Sequence, residues 1–221
     1  MRPVDRENMI YTTKLGCPID MEEKVMFDLL KEYCPKGSTV LDVGCGSGEI
    51  TLEISKLGYK TEGVDFSPIA IEKAKNNGIE CRVIDVDAGL PYEDNQFDAV
   101  WMGDVIEHVF DPVFVLKEIN RVVRNNGLLL LTVPYDLSLG LRIRTLFGVS
   151  YQEATYRERG QYKHHTFFSK SLIQYMLDDS SFDIKQFAIK TKAPFFNKSF
   201  ITKNKYALLF GGTMIFLCKV K

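Results

Sequence analysis

Residues 39–50 read TVLDVGCGSGEI. Val40, Leu41 and Val43 form a short apolar run of the kind a strand buried on both faces shows. The run stops at Gly44, Gly46 and Gly48, after which polarity resumes at helical spacing. Glycines at alternate positions permit positive φ and let a ligand approach backbone N–H groups at a helix start. The stretch therefore reads as strand, cofactor-binding turn and helix. A dinucleotide-binding fold opens in a similar way, but with G-x-G-x-x-G. Here the third glycine, Gly48, falls one place early and Glu49 stands where that fingerprint ends. Asp42, just before the turn, repels a pyrophosphate, because anions are what the bare end of a helix prefers. It suits a ligand that carries an ammonium group and no phosphate. The bland alternative is a tight turn with no ligand, and three glycines so close together disfavour it.

Outward from this turn, apolar runs at residues 59–64, 79–84, 97–102 and 128–133 read as strands. Amphipathic helices are predicted over Met21–Tyr33 with Asp20 as N-cap, over 47–57, and over 67–77 with Ser67 and Pro68 at its start. Another opens at Asp111-Pro112 and places Val115, Leu116, Ile119, Val122 and Val123 on one face. A capped helix from Ser169 and strands over 182–189 and 206–220 complete the chain, the last two close enough in sequence to pair as a hairpin. Short alternation of strands and helices predicts an α/β fold with a doubly wound, mostly parallel seven-stranded sheet and an antiparallel C-terminal strand hairpin. Residues 1–221 are read as a single domain, with an N-terminal helix at 20–33 and an insertion at about 135–168 that serves as a substrate cap.

With 28 basic and 29 acidic residues the chain has no generic nucleic-acid surface. Its five cysteines, Cys17, Cys34, Cys45, Cys81 and Cys218, form no CxxC pair and read as reduced thiols of a cytoplasmic protein. No stretch approaches the ~20 apolar residues of a membrane span, and the first residues lack the apolar centre of a signal peptide. No metal site is expected, and the chain is expected to be a monomer or homodimer.

The motifs VLDVGCGSGEI, GVDFS, DVDAGLPYEDNQFDAV, VIEHVFDP and RVVRNNGLLLLTVP occur in order over about residues 38–133. In this the chain resembles the class I S-adenosylmethionine-dependent methyltransferases, which are Rossmann-like, and most of all those of the ubiquinone and menaquinone biosynthesis type. The resemblance implies that S-adenosylmethionine is bound and S-adenosylhomocysteine released. It implies that Gly44, Cys45, Gly46 and Gly48 approach the methionine part, that Asp42 holds its ammonium group, and that Gly103 lies beside it. Asp65 would accept the ribose hydroxyls, Phe66 would wall the adenine, Asp85 would meet the adenine amine and the Val86 backbone a ring nitrogen. Asp87 competes with Asp85, which is preferred because it comes straight off its strand. His108 is expected beside the methionine part or the substrate floor, or else as a structural histidine. His164 and His165 lie in the cap and read either as bases or as a solvated pair, and Trp101 reads as core.

A sulfonium methyl needs alignment and exclusion of water rather than a metal. A hydroxyl nucleophile also wants a general base, for which His108, His164, His165 and Asp104 are unranked candidates. The acceptor is expected to be a small molecule, with a hydroxyl oxygen of a metabolite, sugar or quinol precursor as the site of transfer. Arg142, Arg144, Arg157 and Arg159 with Tyr151, Tyr156 and Tyr162 either line a polar pocket or cover a solvated loop. The amphipathic stretch 137–147 reads as a lid or as a surface helix for an isoprenoid acceptor. The rival readings are a non-catalytic binding or scaffold protein, a nicotinamide-dependent oxidoreductase and a nucleic-acid methyltransferase. The intact carboxylates, the glycine spacing with Asp42, and the lack of an Asn/Asp-Pro-Pro-aromatic motif argue against them in turn.

Overall fold

The computed structural model describes residues 19–135, 137–150, 153, 164–192 and 199–221. One mixed sheet has the strand order β3-β2-β1-β4-β5-β8-β6-β7. Its strands are β1 (Thr39–Val43), β2 (Lys60–Asp65), β3 (Cys81–Val83), β4 (Phe97–Gly103), β5 (Val123–Tyr135), β6 (Phe182–Lys192), β7 (Ser199–Thr202) and β8 (Gly212–Val220). β3, β2, β1, β4 and β5 run parallel, and β8, β6 and β7 add on antiparallel. The α/β class, the mostly parallel sheet and the antiparallel C-terminal half agree with the sequence reading.

The sheet has eight strands, not seven. The missed strand, β7, is a four-residue edge between polar residues, and it pairs with β6 at Ile189↔Thr202 through Lys192↔Ser199. The expected antiparallel pairing of 182–189 with 206–220 forms, with β6 against β8 from Phe182↔Val220 to Lys190↔Thr213, but β7 lies between them in sequence and the second strand is shorter than expected. Residues Lys205–Phe210 are a 3₁₀ turn rather than strand, and β8 begins only at Gly212. β5 also extends beyond the 128–133 read from the sequence, with Pro134 inside it opposite Thr213.

The helices are α1 (Met21–Tyr33), α2 (Glu49–Lys56), α3 (Pro68–Asn76), α4 (Pro112–Val122), α5 (Leu139–Leu146) and α6 (Lys170–Asp179). The expected caps form: Ser67 accepts from Ala70 N–H, Asp111 from Phe114 N–H and Ser169 from Leu172 N–H. Glu23 accepts the Asp20 N–H at the start of α1. Alternation along the central strands divides the core. Leu129, Leu131 and Val133 join Val100 and Met102 in a layer with α4 and α6, while Leu128, Leu130, Ala99 and Trp101 meet Met26, Phe27 and Leu30 of α1 on the other face. Trp101 is core, 2% exposed, with its ring 4.9 Å from that of Phe27.

Arg121 of α4 holds the long connection between β3 and β4. It donates to Leu90 O (2.8 Å), Tyr92 O (2.7 Å) and Asp94 (2.9 Å) while Glu118 grips the same guanidinium. Arg121→Met leaves those carbonyls without their partner, so urea unfolding should show a loss of about 1–3 kcal/mol. A loss below about 0.5 kcal/mol would mark the cluster as an ordinary surface ion pair.

Candidate functional site

The parallel strands β1, β2 and β4 end at one edge of the sheet, and the residues singled out in the sequence lie there. Gly44, Gly46 and Gly48 all adopt positive φ, at 77°, 54° and 87°. At Gly44 the space is also closed, because a Cβ there would lie 2.3 Å from Val105 Cγ2. The N–H groups of this turn are not bare. Gly44 and Cys45 both donate to Val64 O, Gly46 donates to Asp65 and Gly48 to Cys45 O. The turn thus offers a ligand close approach and shape.

Asp65 accepts Gly46 N–H on Oδ2 (3.0 Å) and Ser67 N–H on Oδ1 (2.8 Å). Asp65 thus stands at the end of β2 with both oxygens engaged by backbone amides of the two neighbouring loops. Phe66 is exposed beside it. Asp85 caps the short 3₁₀ turn Val86–Ala88 by accepting from Asp87 N–H, and its side chain is exposed. Asp87 instead accepts Phe110 N–H (2.9 Å) and ties down the loop after β4. Of the two, Asp85 is the more exposed.

A pocket opens above the turn, lined by Glu23, Asp42, Gly44, Gly103, Asp104 and Thr132, with Trp101 at its floor. Sequence reasoning missed Glu23, which reaches the pocket because α1 lies over it, and Thr132, whose hydroxyl donates to Asp104 Oδ1 (2.9 Å) and accepts Asp104 N–H (3.0 Å). α1 is held down by ion pairs from Lys190 to Glu22 and Asp20, and by Tyr59 Oη donating to Leu30 O and Cys34 O. Crowding by protein raises the Glu23 and Asp104 carboxyls, although Asp104 still opens to water, which weakens that push.

Asp42 is 2% exposed, and its Oδ2 accepts from Thr51 Oγ1 at 2.6 Å. Burial pushes its carboxyl up to about 7 against the Thr51 bond, and the charges of Asp65 and Glu49 add to the push. In the unfolded chain it titrates near ~3.9. Between those values the folded state holds a proton that the unfolded state lacks, so stability falls as pH rises through the window. Urea unfolding at about pH 5 and pH 8 should show the wild type losing on the order of 2 kcal/mol more than Asp42→Asn. Parallel profiles would mean that Asp42 is ionised throughout.

His108 ends the 3₁₀ turn Ile106–His108 after β4. His164 lies against it, ring centroids 5.1 Å apart, while His165 turns away onto Phe110 at 4.8 Å. The structure therefore separates the adjacent pair. Arg142 donates to Leu137 O and Tyr135 Oη, which makes it part of the scaffold before α5. Arg157, Arg159, Tyr151, Tyr156, Tyr162 and Cys17 lie outside the described residues. The other four cysteines are buried as free thiols. No helix among the described residues is long and apolar enough to cross a membrane.

Residues 41–131 match the family described as Methyltransferase domain. A demethylmenaquinone methyltransferase of Staphylococcus saprophyticus is 39% identical over 109 residues, which are 46% of this chain and 47% of that protein. The chain thus spans about half the length of the curated relatives it matches. A SAM-dependent methyltransferase from Methanosarcina mazei superposes with a TM-score of 0.68 at 21% identity, covering 87% of this chain and 96% of the other. A SAM-dependent methyltransferase from Thermotoga maritima, titled a possible histamine N-methyltransferase, gives 0.67 at 20% identity over 98% and 94%. The pocket fits the cofactor of that class: among its described lining residues three are carboxylic, Glu23, Asp42 and Asp104, and none is Lys or Arg. Such a lining suits an ammonium and a sulfonium and repels a pyrophosphate. Residues 41–131 thus match a methyltransferase domain, and the strand order and glycine turn agree with the fold of the SAM-dependent methyltransferases above.

Proposed function

We propose that the protein transfers a methyl group from S-adenosylmethionine to a hydroxyl oxygen of a small-molecule acceptor. The observation that carries this reading is the acid-lined pocket at a turn of three positive-φ glycines, with His108 in the turn after β4 and His164 packed against it from the segment before α6. When bound, S-adenosylmethionine supplies a methyl on a positively charged sulfur. In this reading Asp42 and the glycine turn receive the methionine part, Asp65 the ribose, Phe66 and Val86 the adenine faces, and Asp85 the adenine amine. Gly103 and Asp104 shape the wall between cofactor and acceptor. Desolvation of this wall strengthens every charge interaction within it. Alignment of acceptor oxygen, carbon and sulfur is the protein's main contribution, of about 7–11 kcal/mol where the geometry is good.

The acceptor enters from the segment 135–168, which serves as its cap. α5 is amphipathic, with Leu146 and Phe147 at 85% and 83% exposure and Leu139 and Ile143 half exposed. An apolar portion of the acceptor has a surface to lie on there. This supports a quinol precursor over a bare sugar.

The test is calorimetric titration of the protein, freed of carried cofactor, with S-adenosylmethionine and S-adenosylhomocysteine. Both are expected to bind in the micromolar range. Asp65→Asn, which keeps an acceptor oxygen for the turn, should weaken both by about ten-fold, a loss of ~1.4 kcal/mol. Absence of binding by the wild type would return the chain to a scaffold role, and unchanged affinity of the variant would remove Asp65 from the ribose site.

A further inference from the structure

We infer that Glu107, His108 and His164 form a binding site for one divalent transition-metal ion beside the 3₁₀ turn that follows β4. One potential ligand atom from each lies within 4.8 Å of the other two, and His108 Nε2 is 3.9 Å from Glu107 Oε1. First-row ions take such ligands at about 2.0–2.2 Å, which sets donor atoms roughly 3–3.5 Å apart. Rotation of the imidazoles closes the difference, since the His108 side chain is 41% exposed and His164 is half-buried.

The cluster is built by the backbone as well as by side chains. Glu107 O accepts His165 N–H at 2.7 Å and Thr166 N–H at 3.2 Å. This staple joins the turn after β4 to the segment before α6 and sets His164 against His108 across 56 positions of sequence (164 − 108). The Glu107 side chain is 2% exposed. A carboxylate so deep needs strong compensation for lost water, and cation coordination is one of the forms it takes in proteins. Two imidazoles and one carboxylate suit zinc, iron(II), cobalt or manganese better than calcium or magnesium. Three protein ligands also leave coordination positions open.

Those positions define an acceptor class: a molecule with two adjacent oxygens, at least one a hydroxyl, able to chelate the ion. This use of the site rests on the methyl-transfer reading, whereas the metal site itself does not. Coordination makes the hydroxyl more acidic and releases its proton to solvent. The oxygen lone pair then forms the new O–C bond. The electron pair of the broken S–C bond stays on sulfur, which becomes a neutral thioether.

Titration of the chelator-treated full chain with zinc chloride alone, without cofactor, is the test. The expected result is one equivalent bound at micromolar affinity, with loss of about ten-fold or more, ~1.4 kcal/mol, in His164→Ala and in His108→Gln. His165→Ala should bind the ion as the wild type does. No stoichiometric binding, or equal affinity in His108→Gln/His164→Ala, overturns the site. Circular dichroism melting and S-adenosylhomocysteine titration of each variant report on the fold, and His108→Gln alone decides if the double variant does not fold. Cobalt(II) loading provides a second readout, as visible absorption bands that both substitutions remove. For the acceptor class the probe is 4-nitrocatechol, whose absorption should shift with the zinc-loaded protein and not with His164→Ala, and no shift overturns chelation. Metal binding without S-adenosylmethionine binding would refute the proposed function and leave the metal site standing.

Discussion

The carboxylate of Asp65 holds two loops to each other. It receives one amide from the turn that follows β1 and another from the start of the helix that follows β2. Charge-assisted bonds of this kind are about twice as strong as neutral ones, and both are buried here. The turn can spend its own N–H groups on Val64 and Asp65 because Gly44 carries no Cβ to strike Val105 as the chain folds back. The pocket is faced by the turn, by the acidic side chains of Glu23, Asp42 and Asp104 and by apolar ones such as Met26, Ile50 and Trp101.

Around this joint the acids have different duties. Asp42 is sealed beneath the turn by Thr51, Asp87 ties the loop after β4, and Asp104 is braced by Thr132. Asp65 joins the two loops, and Asp85 caps the 3₁₀ turn that follows β3 with its side chain exposed. The sequence places all of these acids at or just beyond strand ends. Their separation comes from which amide or hydroxyl lies within reach once the sheet has assembled.

Much of the parallel half was legible in the chain because its signals are local. The run at 39–50 and the caps at Ser67, Asp111 and Ser169 each act within a turn of their own position. The losses occurred where pairing across the sheet decides. β7 is four residues long and owes its existence to β6, and Lys205–Phe210 carries an apolar run that a strand and a short helix share equally. Glu23, Thr51 and Thr132 had no motif, because they reach the site through packing of α1, α2 and β5 upon the sheet. The meeting of His164 with His108 depends on a backbone staple between distant segments and leaves no trace in spacing.

The antiparallel attachment of β8 to β5 brings Gly212 beside Tyr135. A strand that runs backwards starts where its neighbour finishes, so the segments before β8 and after β5 arrive at one rim. The 3₁₀ turn 205–210 touches α5 there, and Gly211 comes close to Ser138. Either segment can therefore change in length or side chains without shifting a strand register, while the parallel half keeps the glycine turn and its carboxylates in place.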